Sequence, residues 1–201
     1  MLAPAETVRD FLNTYDVESD TDELASPAEL AVWLRERGLT GPGDRAGDDD
    51  LATAVALREG LRAALRGEPA DLPVLPLRVT VGDGPRVSAN DAPPTTAGDG
   101  PPLTAGEGSR VTAGGRPRLA PMNGGVRGAL AAIAASVTGA SWNRLKVCAE
   151  DTCQWAFVDA SRNRSRSWCS MRVCGNRTKT RAYRARKQGS RPPQGRNTDT
   201  V

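Results

Sequence analysis

Apolar positions recur at helical spacing in the first third of the chain and again near residue 130. Val8, Phe11, Leu12 and Tyr15 follow the i, i+3, i+4, i+7 rule, which predicts a helix over 4–16. Ser26, Pro27 and Glu29 then supply an N-cap, a first-turn proline and the third position of a capping box. The helix they open takes its apolar face from Leu30, Val32, Trp33 and Leu34, and Gly38 is its stop. The run GPGDRAGDDD reads as a loop whose acids at 48–50 feed negative charge to the next helix N-terminus. That helix runs from about Leu51 to Leu65, with a stripe of Leu51, Ala54, Val55, Leu61 and Leu65 into which Arg58 projects. A fourth, alanine-rich helix covers about Gly125 to Thr138.

Between Gly67 and Pro121 the pattern changes, and 19 of the 55 residues are Gly or Pro. Four strand-like pieces stand out, at 77–81, 85–89, 109–113 and 116–120. Two hairpins accommodate them, with tips at 82–84 and 114–115, separated by a flexible loop over about 90–110. The expected fold class is therefore α+β. It has a mainly helical N-terminal domain (1–140) with one or two β-hairpins, a small C-terminal module (141–188) ending in a basic helix, and a disordered tail (189–201).

Composition sharpens this division. The net charge of +3 hides a split: residues 141–201 carry 14 Lys/Arg and 4 Asp/Glu, whereas residues 1–140 carry 13 and 20. A basic end on an acidic body points to an anionic partner for that end. The chain has no histidine, which removes Ser-His-Asp triads, Cys-His pairs and histidine metal ligands. No phosphate-cradling loop between a strand and a helix is present, and a non-enzymatic role is expected. No apolar run approaches the ~20 residues of a membrane span, and residues 1–16 lack a basic-then-apolar signal, so the expected location is cytoplasmic.

All four cysteines fall in the basic end, spaced Cys148-x4-Cys153-x15-Cys169-x4-Cys174. Two pairs separated by a hairpin-length insert suit a tetrahedral metal, each pair giving two thiolates from one turn. Four thiolates leave no open coordination position, so the expected cofactor is one structural Zn2+. An iron–sulfur cluster and two disulfides are the other readings of the same four residues. The segment 145–180 has few large apolar residues, so metal binding would supply folding energy that its core lacks.

The stretch from Trp142 to Lys187 resembles the CGNR zinc finger. It carries the four cysteines, the Phe157-x-Asp159-x-Ser161 pattern, Trp168-Cys169-Ser170-Met171, and the terminal Cys174, Gly175, Asn176 and Arg177. DFLNTYD (10–16), Asp22, Leu24, SPAELAVWLRERGL (26–39) and LREGLRAALR (57–66) look like the ABATE domain that precedes this finger. The resemblance implies a transcription regulator, with a DNA-binding finger behind a helical domain that senses a small molecule.

The residues themselves offer a nucleic-acid surface. Arg162, Arg164 and Arg166 cluster at a turn after a short strand, where guanidinium forks suit phosphate oxygens. The helix after Cys174 places Arg177, Arg181 and Arg184 on one face, beside Lys179 and Lys187. Double-stranded DNA is the expected partner; an RNA-binding zinc module and a zinc-stabilised protein-interaction module are the alternatives. Arg58, set in an apolar stripe, requires a carboxylate from Asp10, Asp16 or Asp22, or else lines a small-molecule pocket with Asn13.

Overall fold

The computed structural model describes residues 4–81, 117–139 and 142–189. Helix α1 (Pro4–Leu12) leads into a two-strand ribbon, β1 (Tyr15–Asp16) and β2 (Thr21–Asp22). Two helices follow, α2 (Pro27–Glu36) and α3 (Asp48–Arg66), then the antiparallel pair β3 (Leu77–Val81) and β4 (Pro117–Pro121). Helix α4 (Gly125–Ala135) continues as a 3-10 turn over Ser136–Thr138, and a second such turn spans Trp142–Arg144. The C-terminal part holds the antiparallel pair β5 (Leu145–Val147) and β6 (Ala156–Val158), a π-helical turn (Met171–Gly175) and helix α5 (Asn176–Gly189). The architecture is mixed α+β, as the sequence predicts.

Helix α1 is shorter than its apolar spacing predicts. It stops at Leu12, and Tyr15 belongs to β1. The Arg62 guanidinium reaches from α3 to the carbonyls of Leu12 and Tyr15 at 2.7 and 3.2 Å, and the Thr14 hydroxyl donates to Phe11 at 2.8 Å. These side chains satisfy carbonyls left open at a helix end. Helix α2 starts as predicted: the Ser26 hydroxyl accepts from the Glu29 amide, and Pro27 occupies the first turn. Gly38 ends it at φ +68°, with the Leu39 amide donating to Leu34. Val32 points to solvent instead of the core; the buried face is Leu30, Ala31, Trp33 and Leu34. The acids at 48–50 are not loop but the first turn of α3, where their charge opposes the positive helix end directly.

Strands β3 and β4 pair with each other in register from Leu77↔Pro121 to Val81↔Pro117. The sequence predicts them in separate hairpins, because turn residues report only local closure. The predicted tips at 82–84 and 114–115, the pieces at 85–89 and 109–113, the loop at 90–110 and the tail from 190 lie outside the described residues.

One core joins the N-terminal helices to the C-terminal hairpin. Phe11, Leu30, Trp33, Leu34, Leu57, Leu61, Leu130 and Ile133 form its centre, with the Phe11 and Trp33 rings edge-to-face at 5.6 Å. Leu145 of β5 and Ala156 of β6 are buried in the same cluster, and Trp142 and Val158 pack against it. The Asn13 side chain completes the junction: its amide donates to the Ala156 carbonyl at 3.0 Å and its oxygen accepts the Ala156 amide at 2.7 Å. Among the described residues, no helix is long and apolar enough to cross a membrane.

Candidate metal centre and basic helix

The four cysteines converge from two turns. Cys148 and Cys153 flank the turn between β5 and β6, and Cys169 and Cys174 flank the turn before α5. All four are free thiols, and their sulfurs lie within 4.8 Å of one another. Cys153–Cys169 and Cys169–Cys174 are each 3.7 Å apart. Sulfurs held ~2.3 Å from a tetrahedral zinc would stand about 3.8 Å apart, so the donor set fits that ion. Burial pushes the Cys153 thiol up strongly and Cys169 up to about 11. Burial also opposes ionisation of Cys148, but hydrogen bonds from the amides of Cys169 and Glu150 bring it below the usual thiol value. A bound dication supplies the charge that lets all four become thiolates.

The second turn shows what each residue of the Cys174-Gly175-Asn176-Arg177 string does. Ser170 caps the π-helical turn, its hydroxyl accepting from Val173. A Cβ on Gly175 would lie 2.5 Å from the Met171 sulfur and 3.4 Å from the Trp168 ring, so those side chains close over the bare backbone. The Asn176 amide donates to the Arg172 carbonyl at 3.0 Å and ties the helix start to the turn. Arg177 leaves the turn sideways, donating to Thr152 at 3.1 Å and to Glu18 of the β1–β2 ribbon at 2.9 Å.

Two buried carboxylates, Glu150 and Asp159, organise the module, and the sequence alone shows the role of neither. Glu150, between the first two cysteines, accepts from Thr178 at 2.7 Å, Arg181 at 2.6 Å and Thr152 at 3.2 Å. The Thr178 and Arg181 hydrogen bonds outweigh its burial and hold its carboxyl down at about 2. Asp159 accepts from Lys146 Nζ at 2.8 Å, the Ser161 amide at 2.9 Å and the Arg166 amide at 3.0 Å. Hydrogen bonds from Lys146 and Ser161 keep it well below the usual carboxylate range. Asp159 and Ser161 were visible as motif positions, but their task of folding the loop 159–166 was not. The signal for Glu150 was an acid inside a metal turn that faces a helix rich in arginine.

The predicted nucleic-acid residues divide into two groups. Arg162, Arg164, Lys179, Arg184 and Lys187 are exposed. Arg166 turns back, its guanidinium 5.1 Å from the Phe157 ring and donating to the Cys169 carbonyl at 2.6 Å. Arg177 and Arg181 are each held by a carboxylate, although half of the Arg181 side chain stays in water. Arg177, Arg181 and Arg184 line one open groove along α5, together with Asn176 and Thr180.

Arg58 is 3% exposed and pairs with Asp22 through two hydrogen bonds of 2.7 and 2.8 Å. It also donates to Thr14 and Glu59. Burial alone would push the Asp22 carboxyl up, but hydrogen bonds from Arg58 and the Leu24 amide, and the Arg58 charge, leave it below its usual value. Asn13 and Arg58 are thus not brought together around one space: Arg58 closes on Asp22, and Asn13 docks β6.

Family comparison agrees with this geometry. Residues 144–187 match the CGNR zinc finger, and residues 6–140 match the ABATE family, described as "Putative stress-induced transcription regulator". The chain belongs to the ABATE family. No curated protein matches it. The clustered thiolates in a CGNR finger indicate one structural zinc, and the ABATE region supplies the helical body on which that finger is docked.

Proposed function

We propose that this ABATE-family chain is a DNA-binding transcription regulator whose zinc finger presents α5 to the duplex. The observation that carries the reading is the set of exposed cations on α5. Lys179, Arg184 and Lys187 have no side-chain partner among the described residues, and Arg181 keeps half its side chain in water while Glu150 holds one nitrogen of its guanidinium. A helix so anchored presents its charges in a fixed array, as phosphate recognition requires. Arg162 and Arg164 add cations from the loop that Asp159 folds. The zinc is structural: its four protein thiolates leave no position for substrate, and the chain supplies no histidine base. The ABATE body then acts as a small-molecule sensor that alters the affinity of the finger. The shared core and the Asn13–Ala156 contact support that coupling.

Fluorescence anisotropy with the zinc-loaded full chain tests the DNA reading. Binding to a mixed-sequence duplex should weaken steeply with salt, with the slope reduced by about 0.9 for each phosphate contact removed. Arg184→Gln with Lys187→Gln should flatten the slope by close to two contacts. A slope that is flat from the start, or structured RNA preferred over duplex DNA in direct competition, would defeat the proposal.

A further inference from the structure

A second open space lies where the body meets the finger. It is a cleft of about 590 Å³ between α1, the end of α2 and β6, and it reaches the Cys169 turn. Its size lies within the ~300–1,000 Å³ of small-molecule sites. We propose that this cleft binds a small, singly charged organic anion with a flat apolar body. The idea rests on the sensor reading above for its regulatory meaning, but the binding itself does not depend on DNA.

The lining argues the ligand class. Arg9 and Asp10 line one wall and pair with each other at 2.7 Å, so their charges cancel. Arg37 and Arg166 then stand against Glu23 alone, leaving one net positive charge. Arg37 is a prepared fork. Its guanidinium stacks 3.8 Å from the Trp33 ring centroid and is steadied by one bond to the Trp33 carbonyl. Its Nε is buried and has no hydrogen-bond partner among the described residues. That nitrogen is sealed from solvent, so an anion in the cleft would meet the guanidinium at its outer edge. Arg166 is similarly fixed at one end: its guanidinium lies over Phe157, and its Nη2 donates to the Cys169 and Trp168 carbonyls. Trp155, 39% exposed just before β6, supplies flat apolar surface beside these forks, and the buried Phe157 ring backs Arg166. Guanidinium recognition of a carboxylate next to an aromatic wall is the chemistry this arrangement offers. Because Arg166 holds the Cys169 carbonyl, a bound anion would bear directly on a zinc-ligand turn.

The probe is 2-naphthoate, titrated calorimetrically into the zinc-loaded full chain, with neutral 2-naphthamide as its control. Saturable 1:1 binding is expected, at least tenfold tighter for the naphthoate. Arg37→Gln and Arg166→Gln should each weaken it tenfold or more, and Trp155→Ala should weaken both compounds. Arg35→Gln, on the same helix but outside the cleft, should leave it unchanged. The proposal is overturned if naphthoate shows no saturable binding at millimolar concentration. It is equally overturned if folded, zinc-replete Arg37→Gln and Arg166→Gln proteins bind like the wild type. Arg184→Gln with Lys187→Gln should retain naphthoate binding while losing duplex affinity, which separates failure here from failure of the DNA reading.

Discussion

Arg58 was conspicuous as a cation in an apolar stripe, and the structure supplies its partner from the three carboxylates the sequence nominated. Asp22 wins because the β1–β2 ribbon folds it back over α3. A buried guanidinium stripped of its packing leaves a carboxylate without its counter-charge, so Arg58→Ala should cost about 3 kcal/mol in urea unfolding at neutral pH. The pair also sets an acid limit. The Asp22 carboxyl titrates lower in the folded chain than in the unfolded one, so its stabilisation is complete above about pH 4. That stabilisation is lost as the pH falls through the folded value. Unfolding curves below pH 4 should therefore be flatter for Arg58→Ala than for the wild type. Other residues were not legible. Val32 fits the helical stripe by spacing alone, yet it faces water, because spacing identifies a face only to within the width of a side chain.

At the scale of elements, helices were read from their caps and strands from their propensity, with different success. Ser26, Pro27 and Gly38 act within a few residues of themselves, so α2 was predicted almost to its ends. Helix α1 ends early because Arg62, fifty residues away, takes its last carbonyl, a contact that no local window contains. The pairing of β3 with β4 was hidden for the same reason. Helix α5 was legible as a basic helix, but its anchor was not. Glu150 binds Thr178 and Arg181 from the opposite metal turn and fixes where the helix points. Glu150→Gln should leave zinc content intact, raise amide exchange along α5 and lower duplex affinity several-fold. Unchanged exchange with unchanged affinity would show that the helix is held by the metal turn alone.

The whole molecule is less divisible than its charge distribution suggests. The charge boundary near residue 140 separates an acidic body from a basic end, but Leu145 and Ala156 of the finger are buried in the body's core. The module's own apolar cluster is little more than the cysteines and Trp168. Zinc thus holds together the part of the hairpin that the body cannot reach. Chelation, or Cys169→Ser, should lower the melting temperature of the entire chain in one transition by calorimetry. Two separated transitions would mean that the shared core does not couple them. The four-cysteine centre was fully legible because its spacing encodes its geometry. The docking of the hairpin was not, since it depends on one asparagine 143 positions away from its partner.

That asparagine has a consequence for solubility. A two-strand sheet has open edges, and an open edge invites pairing with another chain. By occupying both backbone groups of Ala156, the Asn13 side chain plugs the outer edge of β6 as a neighbouring strand would. Asn13→Ala protein should then self-associate at concentrations where the wild type stays monodisperse by light scattering, and loss of zinc, by freeing the hairpin, should have the same result.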